Sequence, residues 1–253
     1  MQEITQQLNH LKLAGMRDAL EQQLVQANTY AELSFTERLQ LLLAHELTQR
    51  EQRRIERLTR EAKFRQRADV ADIQYKASRN LDKAQIRTLS QSDWLHHAHN
   101  LVITGKTGCG KTFIACALGA EYCRQGKSVL YFRLKSLLEQ MYLAQAEGSY
   151  RKLINKLIKA DLLIIDDWGL EPLNANQRSD LLELIDGRYD HHSILIISQL
   201  PISNWYEMIG ESTHADAILD RLVHRSIKIE LEGESMRKET NSLTHGDQQK
   251  YIK

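Results

Sequence analysis

The chain has two parts with different patterns of apolar and polar residues. Residues 1–67 contain no proline and a single glycine, and leucines recur there every three or four positions. This spacing places the apolar side chains on one face of successive helices and predicts a helical N-terminal domain. Ser34 and Glu37 have the spacing of a capping box, which predicts a helix start between the leucine-rich stretches.

From Leu101 onward, short apolar runs alternate with amphipathic stretches. The runs predict five strands, at 101–104, 128–133, 162–166, 194–198 and 227–231. Two helical stretches, 135–146 and 150–159, lie between the second and third of these strands. Strands that alternate with helices are typical of an α/β fold with a central parallel sheet. The predicted organisation is a helical domain at 1–67, a linker at 68–99, an α/β domain at 100–239 and a polar tail at 240–253.

A glycine-rich segment, Gly-Lys-Thr-Gly-Cys-Gly-Lys-Thr, occupies positions 105–112 between the first strand and a helical stretch. A turn of this kind points backbone N–H groups and the positive end of a helix dipole at one anion. In such a loop Lys111 reaches the β- and γ-phosphates of a nucleotide, and the Thr112 hydroxyl ligates Mg²⁺. The segment therefore predicts a phosphate-binding loop, since the flanking strand and helix disfavour an ordinary glycine-rich turn. The predicted contact residues are Gly105, Lys106, Thr107, Gly108, Cys109, Gly110, Lys111, Thr112 and Phe113.

Polar residues also end two other predicted strands, and such ends face the same crevice as the loop in a parallel sheet. We expect Asp166 to hold Mg²⁺ together with Thr112, and Asp167 to orient or deprotonate an attacking water. In the alternative interpretation, the two acids have no role in catalysis and only cap the turn that follows the strand. Ser198 and Gln199 end the fourth strand, where they can bind the attacking water or the γ-phosphate. A simple strand-to-loop transition without a ligand is the alternative.

Arginines close a later helical stretch. Arg221 and Arg225 flank positions 222–224. An arginine there can reach the γ-phosphate of a neighbouring subunit, and a helix C-terminus that favours cations is the alternative. The predicted catalytic residues are thus Lys111, Asp166, Asp167, Ser198, Gln199 and Arg221.

Composition narrows the function classes. The formal net charge of +1 gives no polyanion-binding signature for the whole chain, so a nucleic-acid surface has to be local. Residues 50–67 carry eight basic and three acidic side chains. They form either a phosphate-contacting stripe with Arg53, Arg57 and Arg60, or a solvated helix with pairs such as Glu61–Arg65.

The chain contains no run of 18 apolar residues, and its first residues are polar. We therefore expect a cytoplasmic protein without a membrane span. The three cysteines are expected to be buried small hydrophobes in a reducing compartment.

The order of these motifs, with Asp220-Arg221-Leu222 after the Ser-Gln strand end, resembles that of the AAA+ ATPases. The two helices between the second and third strands look like the extra helical element of the initiator clade, which includes DnaA and the helicase loader DnaC. A closer similarity is to the IstB family of transposition helper ATPases. The segments that carry it are 11–16, 81–85, 164–169, 197–201 and 233–237.

The IstB resemblance extends over nearly the whole chain up to the polar tail. It implies a protein that assembles with ATP into homo-oligomers on duplex DNA and directs a transposase to its target. It also implies that Arg221 is an arginine finger and that Arg237 is a second sensor on the same nucleotide. Two features depart from the AAA+ pattern, namely Asp166-Asp167 in place of Asp-Glu and a C-terminal helical lid that is reduced or absent.

The initiator resemblance also places the inserted helices at the inner surface of an oligomer. Residues 124–159 carry eight basic and two acidic side chains. We predict phosphate contacts without base readout from Lys135, Arg151, Lys152 and Lys156, and solubility charge on exposed helices is the alternative.

Two other functions remain open from the sequence. A DnaC-like helicase loader would use the N-terminal domain to grip a replicative helicase. A monomeric P-loop phosphotransferase would need no arginine from a neighbour, and is disfavoured by Arg221. An adjacent transposase gene would favour the transposition helper, and a replication operon would favour the loader.

Overall fold

The computed structural model describes residues 2–233 and 236 of the 253-residue chain. The described chain consists of helices and one parallel sheet, and it divides into two compact units between Arg57 and Leu58. The helices are α1 (Gln2–His10), α2 (Ala14–Val25), α3 (Phe35–Ala62), α4 (Lys83–Ser90), α5 (Asp93–His96), α6 (Lys111–Arg124), α7 (Leu134–Ala146), α8 (Tyr150–Lys159), α9 (Ala175–Arg188), α10 (Trp205–Ile209) and α11 (Ser212–Val223). The strands are β1 (Asn100–Gly105), β2 (Val129–Arg133), β3 (Leu162–Trp168), β4 (Ser193–Ser198) and β5 (Ser226–Leu231).

The N-terminal unit is helical, as the leucine spacing predicts. The capping box at the start of α3 is present, because the backbone N–H of Ser34 donates to Glu37 at 2.8 Å and that of Glu37 donates to the Ser34 hydroxyl at 3.3 Å. Glu46 on α3 is buried and accepts hydrogen bonds from the Met16 backbone N–H and from Arg50. A Cβ atom at Gly15 would lie 2.7 Å from the Cα of Glu46, so α2 can approach α3 this closely only with glycine at that position.

The second unit is built on a five-stranded parallel sheet with the order β2-β3-β4-β1-β5. Each predicted strand is present, with ends that differ by no more than two residues from the prediction. The order places β4 between β1 and β3. The carboxyl ends of the strands that carry the loop, the Ser-Gln pair and the two acids are therefore neighbours at one edge of the sheet.

Both faces of the sheet are covered along β1–β4, which is why these strands are mostly apolar, whereas the edge strand β5 exposes Lys228 and Glu230. Along β3, Leu162 and Ile164 pack on one side with α4, α5 and α6, whereas Leu163 and Ile165 pack on the other side with α7–α11. The three cysteines are buried and free, as expected from the sequence. Burial raises the pKa of the Cys116 and Cys123 thiols to about 11, so both stay protonated near neutral pH.

Residues 58–99 differ from the predicted organisation. The boundary between the units lies at Arg57 rather than at 67, and the expected linker at 68–99 packs into the second unit. Leu58 and Ala62, in the last turns of α3, are buried in the core that covers α6. So are the apolar residues of the segment expected to be a linker, namely Ile73, Ile86, Leu89, Trp94 and Leu95. They lie in short elements with turns between them, so no long helical period marks them as core.

Every helix within residues 2–233 is too short or too polar to cross a bilayer.

Candidate functional site

A cavity of about 640 Å³ opens at the carboxyl edge of the sheet. Residues at or just after the ends of β1, β2, β3 and β4 line it. Of the predicted site residues, the lining contains Thr107, Gly108, Gly110, Lys111, Thr112, Phe113, Asp166, Asp167, Ser198 and Gln199. The structure therefore brings together three motifs that are separated by up to 90 residues in the sequence.

The glycine-rich loop closes over the start of α6. The ammonium group of Lys111 is buried and donates to the carbonyl oxygens of Gly105 and Lys106, at 2.6 and 2.7 Å. Gly110 precedes α6 in a left-handed conformation with φ of 90°. The conformation favours glycine, and a Cβ atom there would lie 2.7 Å from Nη2 of Arg79 and would displace that guanidinium group.

Asp166 is the most heavily contacted acid of the cavity. Its Oδ2 atom accepts hydrogen bonds from the Thr112 hydroxyl at 2.9 Å and from the Tyr131 hydroxyl at 2.6 Å. Its Oδ1 atom accepts the Asp167 backbone N–H at 2.7 Å. Burial and the adjacent carboxylate raise the pKa of Tyr131, so its hydroxyl stays protonated and remains a donor to Asp166.

A β-bulge between β3 and β4 directs the two acids. The register shifts between Ile165 and Trp168, and Asp167 adopts a left-handed conformation with φ of 60°. Bulges beside active sites re-aim side chains in this way. Asp167 turns toward Arg133 at the end of β2, whose Nε lies 3.4 Å from its carboxylate.

Ser198 and Gln199 have different surroundings and different roles. The Ser198 hydroxyl is buried, donates to the Trp168 carbonyl oxygen at 2.9 Å and accepts the Leu200 backbone N–H at 3.0 Å. It thereby holds the bulge that carries Asp167. Gln199 is exposed and lines the cavity, so its side chain is the better placed of the two to contact a ligand.

Two residues that were not among the predicted site residues cover the loop. The guanidinium group of Arg79 is buried and donates from Nη2 to the Cys109 carbonyl oxygen at 2.7 Å. The backbone N–H of Met236 donates to the Gly108 carbonyl oxygen at 3.0 Å. Both Arg79 and Met236 line the cavity, so residues from the expected linker and from beyond β5 help to shape the loop.

Arg65 is a further cavity residue that was not predicted from the sequence. A helix continuing to position 65 would pair it with Glu61. Instead α3 ends at Ala62, where Lys63 takes a left-handed conformation, and Nη1 of Arg65 lies 3.8 Å from Asp166 and 4.0 Å from Asp167. Arg133, by contrast, could have been predicted as a cavity residue, because it is the last residue of a predicted strand at the carboxyl edge.

The donor set at the mouth of the loop fits Mg²⁺. Thr112 and Asp166 offer a hydroxyl and a carboxylate oxygen within 2.9 Å of each other. Mg²⁺ prefers such oxygen ligands, and in nucleotide sites it takes one or two from the protein and others from phosphates and water. No larger cluster of metal-ligating side chains occurs within the described residues.

Arg221 does not line this cavity. Its Nε donates to Asp186 on α9 at 2.8 Å, its Nη1 donates to the Ala217 carbonyl oxygen, and its guanidinium lies over the Tyr189 ring. Arg237 lies outside the described residues.

The predicted DNA contacts are all exposed. Arg151, Lys152 and Lys156 project from α8, opposite the buried Ile154 and Leu157. Lys135 on α7 pairs with Glu171 at 3.0 Å. Arg53, Arg57 and Arg60 on α3 are exposed, and none forms an ion pair with another described residue.

Comparison with known proteins decides the family. The model of the IstB-like ATP binding protein family matches residues 6–244. The chain belongs to this family. It is 45% identical over 231 residues to the "Putative insertion sequence ATP-binding protein y4pL" of Sinorhizobium fredii, covering 91% of this chain and 94% of the relative. It is also 48% identical over 198 residues to the IS1162 putative ATP-binding protein of Pseudomonas fluorescens, covering 78% of this chain and 85% of the relative.

Solved structures support the fold. The DnaC helicase loader matches with a TM-score of 0.56 and 21% identity, over 65% of this chain and 97% of that one. The replication initiator DnaA, bound to AMPPCP and single-stranded DNA, matches with a TM-score of 0.58 and 15% identity, over 72% of this chain and 56% of that one. The predicted AAA+ fold with a preceding helical region is thus confirmed.

Proposed function

We propose that the protein is an ATP-dependent regulator of DNA transposition. It hydrolyses ATP to ADP and phosphate at interfaces between its own subunits, binds duplex DNA largely without regard to sequence, and recruits or stimulates a transposase. The observation that carries the proposal is the incomplete site. One chain supplies the loop, the acids and Gln199, whereas the expected finger, Arg221, lies outside that cavity. Membership of a family whose relatives are named for insertion sequences supports transposition as the setting.

The chemistry follows from the arrangement of the side chains. Lys111 and the backbone N–H groups at the start of α6 bind the phosphates. Thr112 and Asp166 hold Mg²⁺, which neutralises phosphate charge. Asp167 is aimed by the bulge to orient the attacking water, and Gln199 is placed to bind that water or the terminal phosphate.

Assembly of subunits brings an arginine from a neighbour to the site. Transfer of the terminal phosphoryl group develops negative charge, which an arginine from a neighbour stabilises strongly. Arg221 takes this role in the next subunit, since its partners in its own subunit are Asp186 and a backbone carbonyl. ATP hydrolysis then depends on assembly, so the rate of hydrolysis can be used to detect assembly.

The DNA surface is attributed to the basic side chains of α7, α8 and α3. In α8 the buried apolar face fixes the helix, so Arg151, Lys152 and Lys156 all face away from the core. Among the described residues no acidic group forms an ion pair with these three. Lys135 remains available because an exposed pair such as Lys135–Glu171 contributes little. Arg53, Arg57 and Arg60 extend the proposed contacts.

The double variant Lys152→Ala/Lys156→Ala tests this surface. DNA affinity of the unchanged protein, measured by fluorescence anisotropy with a nucleotide present, should fall steeply as salt rises, because phosphate contacts release counterions. The double variant should bind more weakly to every sequence, and the slope of log K against log salt should be less steep by about 2.

A matched control is Lys83→Ala/Arg87→Ala. These residues have the same spacing, are exposed, and lie on α4. Their replacement should leave the slope unchanged. Affinity that does not depend on salt, or equal losses in the two double variants, would contradict the proposed surface.

A helicase loader is the second candidate, and the likeness of fold to DnaC is the observation that favours it. The two functions differ in the partner. Nucleotide-bound protein should co-sediment with an insertion-sequence transposase and not with a replicative helicase. The opposite result would favour the loader.

A further inference from the structure

Arg65 is a cation that faces both acids of the cavity. Its Nη1 lies 3.8 Å from Oδ2 of Asp166 and 4.0 Å from Oδ2 of Asp167, and its side chain lines the cavity. The side chain is about one-third exposed, at 36%. It is thus near the acids without being enclosed by protein.

The backbone of this residue is fixed to the helix that carries the phosphate-binding side chains. Ala62, three residues earlier, is fully buried in the core that contains α6. The ring of Phe64 packs so closely on α6 that a Cβ atom at Gly119 would lie 2.6 Å from it. The backbone N–H groups of Arg65 and Gln66 point to the Cys116 sulfur, one turn beyond Thr112 on α6. The backbone of Arg65 is therefore held beside the helix that carries Lys111 and Thr112.

The acids do not occupy the donors of Arg65. Oδ2 of Asp166 already accepts two hydroxyl groups, from Thr112 and Tyr131. Within residues 2–233 and 236, Arg65 is at ion-pair distance from both carboxylates but donates a hydrogen bond to neither. Charge alone holds it there, so its N–H groups remain available to a stronger acceptor.

We propose that Arg65 binds the terminal phosphate of a nucleoside triphosphate in its own subunit. The proposal rests on the proposed function, because it assumes that the cavity binds ATP. A guanidinium group and a phosphate form short, paired, charge-assisted hydrogen bonds that carboxylates at 4.0 Å do not provide. Mg²⁺ on Thr112 and Asp166 would weaken the attraction of the acids for Arg65 and so favour its transfer to the phosphate.

This assignment differs from the role of Arg221. Arg221 acts on the phosphate of a neighbour, so its effect requires assembly. Arg65 belongs to the same chain as the loop and follows the last turn of α3. Arg65 would therefore let a single subunit distinguish a triphosphate from a diphosphate without assembly. Because Arg65 follows α3 directly, the presence of the terminal phosphate would be sensed at the end of this helix.

The test compares the affinity of the full chain for ADP and for a non-hydrolysable ATP analogue, each with Mg²⁺. Calorimetric titration is done without DNA, at protein concentrations where light scattering shows the chain to be a single subunit. Arg65→Ala should bind the analogue at least about tenfold more weakly, since a charge-assisted hydrogen bond is lost, while its ADP affinity stays within about twofold. Arg65→Lys keeps the charge but not the paired N–H groups of the guanidinium, so it should recover part of the lost affinity for the analogue.

Arg67→Ala is the matched control, because Arg67 is an arginine two residues along the same segment and does not line the cavity. It should bind both nucleotides as the unchanged protein does. Equal losses for ADP and the analogue in Arg65→Ala would indicate that Arg65 only shapes the site, and no loss for either would remove it from nucleotide recognition. Both results overturn the inference. If the unchanged protein binds neither nucleotide, the proposed function itself fails.

Discussion

Replacing Lys111 by alanine is expected to lower the rate of ATP hydrolysis by at least about 100-fold, since one preorganised cation at a site of developing charge contributes on that scale. Lys111 is buried at the start of α6, and its ammonium group is held by two carbonyl oxygens of the loop. In the folded protein no other lysine lines the cavity among the described residues. Steady-state release of phosphate at saturating ATP measures the loss.

Lys228→Ala provides the comparison. Lys228 is exposed on β5 and does not line the cavity, so its replacement should leave hydrolysis unchanged. Thermal unfolding of both variants shows whether the fold is intact. Near-normal hydrolysis by a folded Lys111→Ala protein would refute the assignment of the phosphate-binding loop.

Mixing two inactive variants is expected to restore activity. Arg221→Ala subunits keep the loop and the acids, whereas Asp166→Asn subunits keep the finger. In a random equal mixture, about a quarter of the head-to-tail interfaces would join an intact cavity to an intact arginine. Hydrolysis should therefore return to about a quarter of the rate per site of the unchanged protein, and should be highest near equal proportions.

A second mixture makes this result specific. Lys111→Ala and Asp166→Asn both damage the cavity itself, so no interface between them contains a complete site. That mixture should stay inactive at every ratio. Restoration there, or its absence at every ratio of Arg221→Ala with Asp166→Asn, would argue against a site shared between subunits.

Much of the second unit could be predicted because its signals are local. Four of the strands are short apolar runs and β5 alternates apolar and polar residues, and the carboxyl ends of parallel strands meet at one edge of the sheet. Asp166, Asp167 and Gln199 could therefore be assigned to the cavity from the sequence alone. Helices α7 and α8 were predicted almost to the residue, because Gly148 and its neighbours interrupt an otherwise regular pattern.

The parts that escaped prediction depend on contacts distant in sequence. Arg65 has the spacing of a helical partner for Glu61, and only the left-handed turn at Lys63 directs it to the acids. Arg79 has no motif around it, yet it fixes the loop through the Cys109 carbonyl oxygen. Ser198 was assigned to the ligand by position, whereas its hydroxyl is engaged by the backbone of the bulge.

We propose that ATP controls assembly on DNA, so the mass of the protein should depend on the bound nucleotide. Light scattering after size-exclusion chromatography gives the mass with ADP or a non-hydrolysable ATP analogue, each with and without duplex DNA. Small species are expected with ADP, and a large, discrete complex of several subunits on DNA is expected with the analogue. A chain that binds nucleotide and DNA yet keeps the mass of one subunit under all four conditions would contradict it.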